Sequence, residues 1–234
     1  MILAAGLGTR LKPLTDRIPK ALVEVGGKPM LERVINKLIF QGFDEIVVNV
    51  HHFAPLIKEF ISSKEWGIEI SISDESDVLL DTGGGIVNAY PLLFKNNDEP
   101  VLIHNVDIIS NADLSSLVNR DSECSVLLVN DRDSGRKLIF DSEYQLSGWH
   151  DLKEDKYRPA KKEGKELAFS GIYVLTKNAI EEMKRIMGGG KYSVMDYFLN
   201  PERKEKIIGK EVAELQIIDI GKPATLSQAA GLFK

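Results

Sequence analysis

Apolar positions in the first half of the chain alternate between two periodicities. Helical spacing of apolar residues predicts helices over 29–41, 55–62 and 86–94, the first beginning at Pro29 and ending before Gly42. Between them, short apolar or alternating runs predict strands over 2–5, 45–50, 68–73 and 101–106. This order predicts an α/β fold with an open, mostly parallel, doubly wound (Rossmann-like) sheet and helices on both faces.

The second half of the chain is less regular. Its patterns predict strands over 125–130, 137–141, 145–150, 169–175 and 215–220, and helices over 179–187, 193–199 and 223–232. The three residues between the second and third of these strands predict a hairpin. The charged stretch 151–166 is typical of an exposed loop. Because no repeat or linker divides the chain, we expect a single domain over residues 1–234 that carries a small antiparallel insertion.

Composition excludes several classes of protein. With 234 residues, of which 43% are hydrophobic, the chain can bury a core and is not disordered. The net charge of −5 argues against a nucleic-acid surface. No apolar run reaches about 18 residues, and the first residues lack a basic segment, so neither a membrane span nor a signal peptide is expected. The single cysteine, Cys124, forms no internal disulfide and fits a reducing cytoplasm.

A glycine loop follows the first apolar run, at Gly6-Leu7-Gly8-Thr9-Arg10. Leu11 stands where the dinucleotide-binding pattern needs its third glycine, and the loop does not end in the Gly-Lys-Ser/Thr of a P-loop. Two glycines alone are more typical of a tight structural turn than of an anion site. Arg10 and Lys20 favour the anion site, because a guanidinium fork and an ammonium both suit phosphate oxygens.

Two aspartates each end an apolar strand. Asp107 follows VLIHNV and Asp219 follows LQII. Such residues often cap a helix or close a turn. In an open parallel sheet, however, ligands bind at the carboxyl ends of strands, and Mg²⁺ favours one or two carboxylates together with water and phosphate oxygens. We therefore expect Asp107 and Asp219 to converge on one Mg²⁺.

LAAGLGTRLKPLT followed by PKAL resembles the signature of the sugar-1-phosphate nucleotidylyltransferases, which make nucleotide sugars from an NTP. The resemblance continues through GGKPMLERVINKL, TGGGI, NVDI, AFSGIYVL and IIDIGKPATL, and so covers nearly the whole chain. It is strongest to the short, single-domain branch that includes N-acetylmuramate-1-phosphate uridylyltransferase and mannose-1-phosphate guanylyltransferase-like proteins. It implies a nucleotide-binding half over residues 1–110 and a sugar-phosphate-binding half over 111–234.

The resemblance also implies roles for particular residues. Arg10 would bind the triphosphate, Lys20 would hold the α-phosphate, and Asp107 would act with them in catalysis. Asp107 and Asp219 match the two metal-ligand positions. The nucleotide would be bound by Ala4, Ala5, Gly6, Gly8, Thr9, Arg10 and Lys20 in the first segment, and by Thr82, Gly83 and Gly84 in a second glycine turn near the base. Without the resemblance, that second turn equally fits a helix-leading turn with no ligand.

The sugar site is marked less clearly. Asn105, Ser170 and Gly171 are candidate substrate contacts. Many relatives carry a Glu-Lys-Pro segment where this chain has GWHDLKED, so the motif does not identify a hexose-binding glutamate in this chain. Trp149, within that segment, either supports one face of a sugar or fills the core under the hairpin. The motifs specify neither the base nor the sugar.

The implied activity is transfer of NMP from an NTP, with UTP or GTP favoured, to a sugar 1-phosphate, with release of pyrophosphate. In-line attack needs charge neutralisation and positioning, supplied by Arg10, Lys20 and Mg²⁺, and no protein nucleophile. The expected partners are the NTP and the sugar 1-phosphate, with no nucleic acid or membrane, in a monomer or homodimer. Two alternatives are a cytidylyltransferase acting on a non-sugar phosphate such as phosphocholine, and a non-catalytic nucleotide-sugar sensor that acts as a regulatory subunit.

Overall fold

The structure, a computed structural model, describes residues 1–119, 122–221, 225–226 and 229. Its helices are α1 (Met30–Phe40), α2 (Ala54–Ser62), α3 (Asp81–Asn88), α4 (Tyr90–Leu93), α5 (Lys177–Met187) and α6 (Val194–Phe198). Its strands are β1 (Ile2–Leu3), β2 (Glu24–Val25), β3 (Lys28–Pro29), β4 (Glu45–Val50), β5 (Glu69–Asp74), β6 (Val101–Asn105), β7 (Ile108–Ser110), β8 (Ser125–Asn130), β9 (Arg136–Phe140), β10 (Leu146–Asp151), β11 (Lys156–Arg158), β12 (Lys165–Leu175), β13 (Ile207–Glu211) and β14 (Ile217–Asp219).

One large sheet organises the described part of the chain. Its strands lie in the order β11-β10-β9-β12-β6-β1-β4-β5, with β8 beside β12 and β13 beside β8. Strands β6, β1, β4 and β5 are parallel. The long strand β12 runs antiparallel to β6 and also pairs with β9, so it joins the parallel part to the antiparallel strands β9, β10 and β11. The predicted α/β class is therefore confirmed.

Helices cover both faces of the sheet because successive strand residues point to opposite sides. Ile2 and Leu102 pack with α1 and α2 on one face. Their neighbours Leu3 and Ile103 pack on the other face with α3, α5 and α6. Strands buried on both faces read as continuous apolar runs, which explains why the short segment β1 is recognisable in the sequence.

Two predicted element boundaries are wrong. Helix α3 begins at Asp81, five residues before the predicted start, so the three glycines at 83–85 lie inside the helix. Residues 151–166 are not a loop throughout, because β11 pairs with β10 and β12 begins at Lys165. Main-chain pairing at a sheet edge tolerates charged side chains that face water, and so the composition of this stretch concealed its strands.

Strands β2, β3, β7 and β13 were also not predicted. The first three have two or three residues each, too few to show a periodicity, and β13 is a five-residue strand with the mixed sequence IIGKE. The predicted closing helix over 223–232 falls mostly outside the described residues; of its positions, Thr225, Leu226 and Ala229 are helical. Among the helices of the described ranges, none has both the length and the hydropathy needed to cross a bilayer. Strands from 1–110 and from 111–234 share the large sheet, and the division into two functional halves stays a prediction.

Candidate active site

A cleft of about 380 Å³ lies where β1, β4 and β6 reach their carboxyl ends. This is the edge at which open α/β sheets bind ligands. Its lining includes residues from the glycine loop, from the start of α3 and from the end of β6. The predicted site residues that it brings together are Ala4, Ala5, Gly6, Gly8, Thr9, Lys20, Thr82, Asn105 and Asp107.

The four charged residues predicted from sequence lie beside one another. The Lys20 ammonium forms an ion pair with the Asp107 carboxylate, and these side chains are only 12% and 13% exposed. Arg10 Nη1 lies 3.9 Å from Asp219 Oδ2. Gly221 joins the two pairs: a Cβ built there would lie 2.7 Å from Arg10 Nη2, 2.8 Å from Asp219 Oδ1 and 3.1 Å from Asp107 Oδ2. All four groups therefore share one site.

A small sheet brings Asp219 to Asp107. Strand β14 pairs antiparallel with β7, with Asp219 opposite Ile108, the residue after Asp107. The Ile220 N–H donates to the Asp107 carbonyl at 2.9 Å, and the Gly221 N–H donates to Asp219 Oδ1 at 2.8 Å. Because β7 was not recognised in the sequence, this pairing could not have been predicted from it.

The two carboxylates fit a magnesium site. In the described residues, no group of three or more His, Cys, Asp or Glu side chains is arranged to hold a metal ion. Mg²⁺ does not need such a cage, since it takes one or two carboxylates and completes its shell with water and substrate phosphates. The absence of a Cβ at Gly221 keeps the space between Asp107 and Asp219 open. Lys20 pairs with Oδ2 of Asp107, the oxygen that also faces Gly221, and a carboxylate oxygen has lone pairs for more than one partner.

The glycine loop is held close to Lys20 by its backbone conformation. Gly8 has φ +67°, and a Cβ there would lie 2.8 Å from Thr15 Cγ2 and 3.0 Å from Lys20 Cβ. The Thr15 hydroxyl donates to the Gly8 carbonyl at 2.8 Å and holds this turn. A Cβ on Gly6, by contrast, would meet nothing within 4 Å. Gly8 is thus required by the fold itself, whereas Gly6 leaves open space on the cleft side of the loop.

A buried polar network supports the start of the loop, and sequence reasoning missed it. The Asn49 side chain accepts the Ala4 N–H at 2.7 Å and donates to Glu75 Oε1 at 2.7 Å. Burial raises the pKa of the Glu75 carboxyl. A Cβ on Gly85 would lie 2.6 Å from Glu75 Oε1, so glycine makes room for this network. The one available signal was Asn49 itself, a polar residue inside the apolar strand EIVVNV.

The second glycine segment is a buried first turn of α3 and not an open turn. The Gly83 N–H donates to the Tyr192 carbonyl at 2.9 Å. A Cβ on Gly83 would overlap the Tyr192 ring, and one on Gly84 would overlap the Gly190 carbonyl. These two glycines do not line the cleft, which corrects the predicted turn against a base. Thr82 does line it, and its hydroxyl accepts the Val194 N–H at 2.8 Å.

Of the three candidate sugar contacts, Asn105 lines the cleft, whereas Ser170 and Gly171 are not among its lining residues. Gly171, with φ +80°, packs so closely against Asn105 that a Cβ would lie 2.8 Å from Asn105 Nδ2. Ser170 is buried and exchanges hydrogen bonds with its own strand, accepting the Ile172 N–H at 2.9 Å and donating to the Ile172 carbonyl at 3.1 Å. Its hydroxyl is therefore not presented to the cleft, contrary to the prediction.

Two further cations near the site were not predicted. Lys191, directly after the glycine run at 188–190, lines the cleft. Arg132 donates to the Phe169 carbonyl at 2.6 Å and to Asn130 Oδ1 at 2.7 Å. Partial burial lowers the pKa of the Arg132 guanidinium, and the negative charge of Asp219 opposes that shift. Nothing in the sequence distinguishes either residue from the many other lysines and arginines.

Several known proteins are similar to this chain in sequence. N-acetylmuramate alpha-1-phosphate uridylyltransferase of Neisseria meningitidis is 30% identical over 99% of this chain and 96% of its own length. The Caulobacter vibrioides protein of the same name is 45% identical over 47% of this chain and 45% of its own length. D-glycero-alpha-D-manno-heptose 1-phosphate guanylyltransferase of Campylobacter jejuni is 32% identical over 95% of this chain and 94% of its own length.

Among solved structures, HddC from Yersinia pseudotuberculosis superposes with a TM-score of 0.75 and 26% identity, covering 100% of this chain and 98% of that one. The profile of the family described as Nucleotidyl transferase matches residues 1–129, which contain the glycine loop, Lys20 and Asp107. The resemblance inferred from the motifs is thereby confirmed. The chain belongs to the nucleotidyl transferase family.

Proposed function

We propose that this protein is a sugar-1-phosphate nucleotidylyltransferase that transfers NMP from an NTP to a sugar 1-phosphate and releases pyrophosphate. The observation that carries the proposal is the meeting of Arg10, Lys20, Asp107 and Asp219 beside the glycine loop. The names of the relatives, which act on sugar 1-phosphates, support it.

UTP or GTP is the proposed nucleotide. The Neisseria relative is named a uridylyltransferase and the Campylobacter relative a guanylyltransferase. A second structure of HddC, 26% identical to this chain, is described as complexed with GMP-PN. In our proposal the loop from Ala4 to Arg10 binds the base, ribose and triphosphate, together with Thr82, which also lines the cleft.

The reaction joins two anions, and the protein's task is to position them and offset their charge. An oxygen of the sugar phosphate attacks the α-phosphorus in line, and the bond from that phosphorus to the bridging oxygen of the β-phosphate breaks. Arg10 contacts the triphosphate and Lys20 the α-phosphate. The ion pair with Asp107 already aims the Lys20 ammonium into the cleft, so little reorganisation is needed when phosphate oxygens become its partners.

Asp107 and Asp219 would hold Mg²⁺ through their carboxylate oxygens. When bound there, the ion neutralises charge on the phosphate oxygens and orients them. The ammonium of Lys20 keeps Asp107 in place on one side, and the Gly221 N–H keeps Asp219 in place on the other.

The test is a panel of the five NTPs with several sugar 1-phosphates and Mg²⁺, assayed for pyrophosphate release. Turnover with UTP or GTP and a sugar 1-phosphate is expected. Asp107→Asn should abolish turnover and leave nucleotide binding measurable by thermal shift. Turnover only with CTP and phosphocholine would replace this proposal with the cytidylyltransferase alternative. Nucleotide binding with no turnover across the panel would favour a sensor.

A further inference from the structure

A second cavity, of about 250 Å³, lies between α1 and β7 and shares one segment of chain with the nucleotide cleft. His104 and Ile108 line this cavity, whereas the residues between them, 105–107, line the cleft. Among the described residues, its lining contains no aspartate or glutamate. It contains four basic residues, namely Lys28, Arg33, Lys37 and His104. This composition favours an anionic ligand.

We propose that this cavity is an anion site, separate from the catalytic one, that binds inorganic phosphate. Phosphate bound there holds β7 in place and thereby stabilises the meeting of Asp107 and Asp219. The binding itself does not depend on the proposed function; only its expected effect on turnover does.

Lys37 is a shielded cation that has only neutral partners. Its ammonium donates to the Ser110 carbonyl at 2.5 Å and to Ser110 Oγ at 3.1 Å. Burial lowers the pKa of Lys37 to about 8, so the group is still largely protonated at pH 7, and the negative charge of Asp113 opposes the shift. No carboxylate of a described residue forms an ion pair with it. One of its three N–H donors therefore remains for an anion, which would offset the cost of burying an unpaired charge.

His104 presents a hydrogen-bond acceptor to the same cavity. Its Nδ1 lies 2.8 Å from the Asn105 carbonyl, and since a carbonyl only accepts, Nδ1 carries the hydrogen. Burial lowers the pKa of His104 to about 4, so the ring is neutral at pH 7 and Nε2 is an unprotonated acceptor. No described residue bonds to Nε2, and the unpaired side-chain atoms sealed from solvent in the described ranges are the hydroxyls of Tyr173 and Tyr192. Nε2 is therefore open to the cavity.

An acceptor beside a cation discriminates between oxyanions of the same shape. Near pH 7, inorganic phosphate has oxygens that accept from Lys37 and at least one P–O–H group that donates to His104 Nε2. Sulfate carries no proton at this pH, so one of its oxygens would face the lone pair of Nε2 with no hydrogen between them. A phosphate monoester, whose second pKa is about 6, is also largely unprotonated. The site therefore selects inorganic phosphate.

Two exposed residues supply further donors. Lys28 and Asn36 line the cavity, and neither side chain forms a hydrogen bond or ion pair with a described residue. Arg33 donates to the Val25 carbonyl at 2.8 Å and to the Gly26 carbonyl at 3.0 Å, so it fixes the turn between β2 and β3 beside Lys28. Lys28 and Asn36 thus remain able to turn toward a bound anion, and Arg33 adds positive charge.

Strand β7 links this cavity to the catalytic carboxylates. Asp107 directly precedes β7, Ser110 ends it, and Lys37 binds Ser110. Strand β14 pairs with β7, which places Asp219 opposite Ile108. A phosphate in the cavity binds the same arrangement of β6 and β7 that brings the two aspartates together, so it increases the population of that arrangement.

The first experiment measures binding at His104 in the full chain, without Mg²⁺ or NTP. Phosphate and, separately, sulfate are titrated at pH 7 and constant ionic strength, and the histidine ring nitrogens are followed by ¹H–¹⁵N NMR. The chain has four histidines, which single substitutions assign. The Nε2 signal of His104 should shift saturably with phosphate. Sulfate should bind at least about tenfold more weakly, because it leaves the acceptor unpaired.

Variants test whether the anion lies in this cavity. Lys37→Met should weaken phosphate binding by about tenfold. Lys28→Gln should weaken it by roughly two- to fivefold, as expected for an exposed charge. Because Lys28 contacts no other described side chain, this variant tests the site even if Lys37→Met unfolds. Lys20→Met removes a cation of the nucleotide cleft and should leave the phosphate dependence of the His104 signal unchanged.

Lys58→Met is the matched control. Lys58 pairs with Asp74, lies on α2 and lines neither cavity, so phosphate affinity should stay at the wild-type level. Equal affinities for phosphate and sulfate would overturn the assignment of the ligand. The site itself would be overturned by the absence of a saturable shift at His104, or by a shift that both Lys37→Met and Lys28→Gln leave unchanged.

The second experiment tests the link to the catalytic site. Formation of nucleotide sugar is followed during an Mg²⁺ titration, with saturating phosphate or with sulfate at the same ionic strength. Phosphate should lower the Mg²⁺ concentration at half-maximal activity by about fivefold or more, a typical coupling between linked sites. An unchanged or higher concentration would overturn the link, since phosphate that competes in the cleft can only inhibit. Phosphate binding at His104 with no nucleotide sugar formed would leave the site standing and contradict the proposed function; the reverse result would do the opposite.

Discussion

Replacing Lys20 by methionine tests the charged site most directly, because it removes the ammonium and retains most of the aliphatic chain. The ion pair with Asp107 is largely shielded from water, at 12% and 13% side-chain exposure. Breaking a buried pair on one side costs up to about 3–5 kcal/mol. Since the cleft opens to solvent, we expect a smaller loss of about 1–3 kcal/mol in the free energy of unfolding.

The expected loss of activity is larger and has a different origin. Removing one preorganised group that stabilises developing charge typically lowers kcat by about 10²–10³, equivalent to about 2.7–4 kcal/mol. We therefore expect kcat for pyrophosphate release to fall by that factor at saturating NTP, sugar 1-phosphate and Mg²⁺. Urea unfolding of the same preparation measures the change in stability.

Two further variants separate the effects. Lys12→Met removes a neighbouring lysine that is 61% exposed and pairs with Asp16, four residues later in the chain. The stability of this variant should change by less than about 0.5 kcal/mol, and its turnover should persist. In Lys20→Met/Asp107→Asn the unpaired carboxylate is gone, so stability should recover while activity remains lost. If Lys20→Met alone keeps kcat within tenfold of the wild type, the assigned role of Lys20 is refuted.

Three more predictions concern the framework of the site. Gly221→Ala places a methyl group 2.8 Å from Asp219 Oδ1. The Mg²⁺ concentration at half-maximal activity should therefore rise, while the urea unfolding midpoint changes little. An unchanged Mg²⁺ titration would contradict this prediction. Asn49→Ala leaves the Ala4 N–H without its hydrogen-bond acceptor, so the free energy of unfolding measured in urea should fall by about 1–3 kcal/mol and nucleotide binding should weaken. Wild-type stability would show that the network is dispensable. Burial lowers the pKa of His104 from 6.5 to about 4. The neutral imidazole therefore stabilises the fold fully above pH 6.5, and the free energy of unfolding should fall by about 3 kcal/mol as the pH drops toward 4. His104→Gln should make the pH dependence of stability, measured by urea unfolding, less steep over this range; an equally steep pH dependence would refute this role of His104.

Local signals account for the parts of the fold that were predicted. The apolar spacing of α1 and the β-branched run of β4 each lie within one segment, and the structure has them within one residue of the predicted bounds. The boundary of α3 was wrong because glycine is a poor helix former in isolation. Glycine occupies these three helical positions because Tyr192, Gly190 and Glu75 leave no room for a side chain.

The sequence by itself determined the alternation of strands and helices, the glycine loop and the four charged residues, because periodicity and short motifs are properties of neighbouring residues. Tertiary structure alone decided that β7 pairs with β14 and so carries Asp219 to Asp107, that Asn49 reaches Glu75, and that Trp149 lines a cavity with two arginines. These contacts join segments far apart in the chain through backbone pairing and close packing. Such interactions depend on where the folded elements meet, and no local pattern of residues encodes that.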